Sequence, residues 1–171
     1  MERRQLLAGC LLGPVRAFAG GQAMELRPHH LLDILTSCGN GEKFEPHPYG
    51  HALHIVGPKV LGDLALRLKL VVAADEICRP CVHLKAGKCD DVLGQLPEKP
   101  SKQEYNDNLD RRVLAYLKLR AGASMTVREY FLLVNERVPG IEKICTHPKE
   151  DERQRLAGLV NGLKKLGLRT A

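Results

Sequence analysis

Apolar and polar positions follow two different periods along this chain, and the changes of period mark its elements. In RPHHLLDILTSCGNG, Leu31, Leu32, Ile34 and Leu35 fall on one helical face, Pro28 suits a first turn, and Gly39 and Gly41 stop the helix. HPYGHALHIVGPKVLGDL carries a second, weaker helical pattern. Gly50 there costs about 1 kcal/mol relative to alanine, and Pro58 is expected to break or kink the backbone. LALRLKLVVAAD then switches to period two. Leu64, Leu66, Leu68 and Leu70 alternate with Ala65, Arg67 and Lys69, which predicts a half-buried strand.

The second half of the chain reads as helices separated by proline and glycine. LPEKPSK, with Pro97 and Pro100, is a linker. Ser101 and Glu104 have capping-box spacing and open a helix through EYNDNLDRRVLAYLKL that should end near Gly122. Asp107 and Asp110 recur three apart on that helix and are expected to be solvated. Thr126 and Glu129 repeat the capping device before YFLLVNERV, which Pro139-Gly140 terminates. Pro148 and the acids after it open a last helix, with Lys164 and Lys165 near its negative end and Gly167 beyond. The expected fold is α+β: a predominantly helical small domain with a short sheet and a Cys-rich metal-binding loop. One strand cannot stand alone, so the pattern leaves its partner unidentified.

Composition narrows the function. With 171 residues and a hydrophobic fraction of 44%, the chain can build one ordinary core. No apolar run reaches the roughly 18–20 residues that span a bilayer, so no membrane span is expected. The net charge is +6, but acids and bases interleave, as in KEDERQRLAGLVNGLKKLGLR. That describes a solvated surface and gives no nucleic-acid partner. Residues 1–23 stand apart as a leader. Arg3, Arg4, an apolar stretch from Leu6 to Val15 and Ala17-Phe18-Ala19 resemble a short signal peptide, with a twin-arginine hint and a lipoprotein-like LLAGC at Cys10. Pro14 and Arg16 interrupt that pattern, and Met24 offers a second beginning. The preferred expectation is an over-long start or disordered leader, a single Cys/His-rich metal-binding domain over 24–171, and a cytoplasmic protein. Export through a twin-arginine-like leader is the alternative.

The chemistry concentrates in DEICRPCVHLKAGKCDD. Cys78 and Cys81 share one tight turn, so both thiolates can reach one metal centre, and Gly87 lets the chain turn back to bring Cys89 close. Zinc sites and iron–sulfur clusters usually take four ligands. Cys145, in KICTHP, is the candidate for the fourth, with Cys38 and His83 as alternates. Three buried thiols would be the bland explanation, but Arg79, Lys85, Lys88, Asp90 and Asp91 make the segment polar. C-x-P-C after a strand also resembles a thioredoxin-type site, although Gly87 and Lys88 break the long helix that should follow, and no Trp precedes it.

LRPHHLLD, ICRPCVHLKAGKC, NLDRRVLAYLKLRAG and IEKIC together resemble, in order, a bacterial and archaeal family of unknown function whose members are described as iron–sulfur-binding proteins. The resemblance covers about residues 24–147. It implies that Cys78, Cys81, Cys89 and Cys145 are cluster ligands and that Met24 is the functional start. Many members have Cys where this chain has Asp33, so Asp33 or Cys38 would substitute if that position is a ligand.

Histidine is the other dense residue type, with His29, His30, His47, His51 and His54 close together. On a helix His47, His51 and His54 fall on one face, and His29 or His30 can share a face with Asp33. His30, Asp33, His47, His51 and His54 are therefore a candidate second metal site, since imidazole and carboxylate suit Zn²⁺, Fe²⁺, Mn²⁺ or Ni²⁺. Ordinary capping or hydrogen-bonding histidines are the competing reading. No Ser-His-Asp pattern, phosphate loop or dinucleotide fingerprint is present. The expected function is iron–sulfur cluster or metal binding, in electron transfer or as an accessory to a redox or iron–sulfur enzyme partner. A zinc-stabilised interaction module holding Zn²⁺, and a metal-dependent enzyme using the His/Asp site, are the alternatives.

Overall fold

The alternating strand finds its partners at both ends of the helical region. A computed structural model describes residues 22–145, 147, 149 and 151–170. Cys10 and nearly all of the proposed leader lie outside them. Strand β1 (Met24–Leu26) pairs parallel with β2 (Arg67–Leu70), placing Met24 opposite Leu68 and Leu26 opposite Leu70. The last strand of the same sheet (Ser124–Thr126) pairs antiparallel on the other side of β2, with Met125 opposite Leu68. Leu68 and Leu70 are buried while Arg67 and Lys69 are exposed, as period two requires. The alternation at Leu64 and Leu66 precedes the strand and is only partly buried. Both partner strands have three residues, too few to show a period of their own.

Helix α1 (Pro28–Asn40) follows β1, with Pro28 in its first turn and Gly41 closing it in the left-handed conformation at φ 74°. Helix α2 runs only over Leu53–Gly62. Gly50 takes φ +71°, so HPYGH is a loop, and His47 and His51 precede the helix. The expected helical face of three histidines therefore does not form. Pro58 lies inside α2 without ending it, with Val56 and Val60 on either side of it buried in the core. Next comes a hairpin of β3 (Leu84–Lys85) and β4 (Lys88–Cys89). Ala86 and Gly87 turn it with φ of 48° and 78°, the two positive values that a two-residue hairpin turn needs.

Helix α3 (Lys102–Tyr116) is capped by Ser101, whose hydroxyl accepts from the Glu104 N–H at 3.3 Å. It stops before the expected Gly122, because Lys118 already turns left-handed at φ 58°. The Ser124–Thr126 strand, now labelled β5, leads into α4 (Val127–Glu136), where Thr126 and Glu129 form a complete reciprocal capping box. A 3-10 turn (Ile141–Ile144) precedes α5 (Glu152–Lys165). Asp151 caps α5 by accepting from Gln154 N–H, so the helix starts later than Pro148, which lies outside the described residues.

Two packing features fix the arrangement. The first is the close approach of α1 and α5. A Cβ on Gly39 would overlap the Gly158 carbonyl, one on Gly158 would meet Thr36, and one on Gly162 would overlap the Leu35 carbonyl. Glycine here allows backbone-to-backbone contact that any side chain would prevent. The second is a buried charge cluster. Asp110 was expected in solvent, yet it is completely buried. The inward face of α3 carries it onto Arg27, whose Nη1 donates to Asp110 Oδ2 at 2.6 Å and whose Nη2 donates to the partly exposed Asp107 at 2.8 Å. Asp110 Oδ1 also accepts from the His29 backbone N–H at 3.0 Å and from its ring Nδ1 at 2.7 Å. This clamps α3 to the β1–α1 junction.

Gly39→Ala should lower stability by about 1–3 kcal/mol through overpacking, more than the roughly 1 kcal/mol that alanine contributes to helix propensity. Gly62→Ala, where nothing lies within 4 Å of the new Cβ, should be neutral or stabilising, and urea unfolding of the two variants checks the contrast. Asp110→Ala leaves Arg27 buried with only Asp107 and should cost about 3–5 kcal/mol in the same measurement.

Candidate metal centre

A cleft of about 780 Å³ opens between the first turn of α1, the loop before α2, the cysteine loop, the start of α3 and the segment after the 3-10 turn. Cys78, Cys81, Cys89 and Cys145 all line it. Each is free and half-buried. Local backbone geometry places them. The Cys81 N–H donates to the Cys78 carbonyl at 2.9 Å, closing the turn that the C-x2-C spacing predicts. Strand β4 carries Cys89, whose N–H donates to Gln103 Oε1 on α3 at 2.9 Å. Cys145 follows the 3-10 turn in extended conformation. Of the alternates, His83 lines the cleft but its Nδ1 bonds Asp90 at 2.8 Å. Cys38 sits near the far end of α1, where its carbonyl accepts from Lys165 Nζ at 2.7 Å, and it is not part of the cleft wall.

Among the described residues, the trio of potential ligand atoms within 4.8 Å of one another is formed by His30, Asp75 and Cys78. Asp75 was not singled out in the sequence. Its signal was local: an Asp three residues before Cys78, able to accept from the backbone two and three positions on. Asp75 Oδ1 accepts from the N–H groups of Ile77 at 3.1 Å and Cys78 at 3.2 Å. Oδ2 accepts from the Arg27 N–H at 2.8 Å and from His30 Nδ1 at 2.8 Å. Burial works to raise the Asp75 pKa, but His30 and these donors outweigh it and hold the carboxyl well below its usual range. Burial works to lower the His30 pKa, and the Asp75 charge and hydrogen bond reverse it, so the net shift is upward. Burial, then the Asp75 charge, pushes the Cys78 thiol up to about 12. A thioredoxin-type nucleophile needs the opposite shift, and a short hairpin follows Cys81 where that site would have a long helix.

The histidines and Asp33 meet only in part. His30, Asp33, His47 and His51 line the same cleft, whereas His54, on α2, is not part of its wall. Asp33 accepts from Arg155 Nη2 at 2.9 Å. The His47 and His51 rings stack at 4.2 Å, and Tyr49 sets its edge against His47 at 4.8 Å and His83 at 4.5 Å. Burial and then His47 lower the His51 pKa. His29 and His30 lie 4.4 Å apart, each with Nδ1 tied to a buried carboxylate, Asp110 and Asp75 respectively.

Among the described residues, no helix is long and apolar enough to cross a membrane. No curated protein and no solved structure matches the chain. A family model described as "Protein of unknown function (DUF1284)" matches residues 53–149. That span takes in Asp75 and all four cleft cysteines and begins after His30 and Asp33. Because the match covers more than half of the sequence, this chain belongs to that uncharacterised family, DUF1284.

Proposed function

We propose that this chain is a metalloprotein whose cleft holds an iron–sulfur cluster on thiolates of Cys78, Cys81, Cys89 and Cys145. One observation carries the reading: Cys145, far along the chain from the cysteine loop, lines the same cleft as its three cysteines, and all four are free. The donor set is thiolate-rich and fits a soft centre. A single tetrahedral zinc with sulfurs at about 2.3 Å would draw four thiolates to roughly 4 Å of one another. The four sulfurs share the cleft without any three of them closing to 4.8 Å, which favours a centre that holds each thiolate on a separate iron. Such a cluster supplies one-electron transfer. The exposed side chains of Val82 and Val92, beside the cleft, offer apolar surface for a redox partner. Thiolates must stay reduced until loaded, so loading belongs in a reducing compartment such as the cytoplasm.

A structural zinc site is the second reading, supported by the short, polar cysteine hairpin. The enzyme reading keeps one observation, the placement of His30, Asp33 and His51 along one cleft wall.

Anaerobically purified protein should be brown, with absorption near about 400 nm that a reductant bleaches reversibly. Colourless protein with about one equivalent of zinc, unfolding on chelation, would establish the zinc reading instead. Metal-free protein that refuses iron and zinc would remove both. Cys78→Ser should abolish the chromophore and lower bound iron at least severalfold, while Cys38→Ser should leave iron content unchanged. Iron and sulfide analysis of the two variants makes that comparison.

A further inference from the structure

The cleft offers a nitrogen donor prepared for the same centre. His30 is the third residue of α1, so its backbone is fixed by a helix start rather than a loop. Its Nδ1 is committed to Asp75 at 2.8 Å. That bond selects the tautomer with a proton on Nδ1 and leaves the Nε2 lone pair as the ring's remaining donor to a ligand in the cleft. A carboxylate that anchors one imidazole nitrogen while the other binds metal is the usual outer arrangement of metal-bound histidine. Asp75 itself is poorly suited to bind the ion. Each of its oxygens already accepts two hydrogen bonds, from Ile77, Cys78, Arg27 and His30. The neighbouring ring, His29, is tied to Asp110 and packs against His30 at 4.4 Å, which limits how His30 can turn. Cys78 completes the corner, within 4.8 Å of both groups.

We propose that His30 ligates the metal centre through Nε2 beside Cys78, with Asp75 as its positioning residue, so that ligation is mixed nitrogen and sulfur. The inference rests on the reading that this cleft binds metal through cysteine. It amends the ligand set of that reading, giving one of the four protein positions to an imidazole and three to cysteine. Cys78 lies against His30 and is retained, so the displaced sulfur is one of Cys81, Cys89 and Cys145.

Zinc alone is a sufficient probe, because its ligands can be counted by X-ray absorption. The full chain, purified metal-free under anaerobic conditions and loaded with one equivalent of Zn²⁺, should show three sulfurs at about 2.3 Å and one imidazole nitrogen at about 2.0 Å. The imidazole contribution should disappear in His30→Ala and persist in His51→Ala. Asp75→Asn should weaken zinc binding about 10–100-fold. The measurement on the unaltered chain does not depend on any variant folding. Four sulfurs with no imidazole would overturn the His30 assignment and leave the cysteine reading intact. Imidazole scattering that survives in His30→Ala would also overturn it, naming another histidine. An imidazole lost in His30→Ala but accompanied by no sulfur would uphold His30 and overturn the cysteine ligands. Failure to bind zinc at all would overturn the His30 assignment and leave the cysteine reading to the iron and sulfide analysis above.

Discussion

The structure turns on Arg27, which is buried and joins three carboxylates. Its backbone N–H donates to Asp75, and its guanidinium donates to Asp110 and Asp107. One residue thus ties the cysteine loop to the β1–α1 junction and α3 to the same point. A buried guanidinium costs a great deal unless it is paired. Burial works against its charge, and Asp110 and Asp107 more than compensate, so the net shift holds it protonated. The cluster permits little slack: moving α3 or the first turn of α1 would strand a charge. Buried networks of this kind specify geometry more than they add stability.

That geometry sets the chemistry. Asp75 orders the Cys78 turn through two backbone N–H groups and orients His30 through a third bond. The same carboxylate opposes ionisation of the Cys78 thiol when no cation is present. A bound cation would become the largest local charge and invert this preference, because coordinated thiols are deprotonated outright. Asp75 thus orders the Cys78 turn and adds to the burial that keeps its thiol protonated. These two effects come from one side chain, so they cannot be varied separately.

What the sequence made legible was local. Thr126 with Glu129 forms its box within one turn, and the Cys78–Cys81 turn depends on four consecutive residues. Leu68 and Leu70 showed their burial through alternation. Cys145 was placed with the other cysteines by resemblance and by the need for a fourth ligand, and the fold puts it on the same cleft wall. What was not legible depended on distant partners. Asp110 reads as one more acid on a polar helix until Arg27 and His29 are known to face it. The helical spacing of His47, His51 and His54 was real in number, but Gly50 breaks the helix that would have aligned them. Strands β1 and β5 are too short for any period to show.

The cysteine loop differs from the rest of the molecule in what holds it. Between Ile77 and Leu93 the chain buries no residue fully, whereas α1 and α5 bury an apolar face along most of their length. Its contacts with the preceding loop include two backbone hydrogen bonds, Ala52 N–H to the Ile77 carbonyl at 2.8 Å and Val82 N–H to the Tyr49 carbonyl at 2.9 Å, beside the Tyr49–His83 ring contact. Each such bond is worth only about 1 kcal/mol net, and segments with few buried apolar contacts open far more easily than the core. A loop built this way can hold three thiolates apart and still admit an ion. Under the proposed metal reading, ligation would supply cohesion that burial does not, because metal binding to the folded state is itself folding free energy. The Arg27–Asp75 junction anchors one end of this loop, and the Leu93 N–H, donating to the Pro100 carbonyl at 3.0 Å, anchors the other. Under the same reading, a bound centre would close the middle.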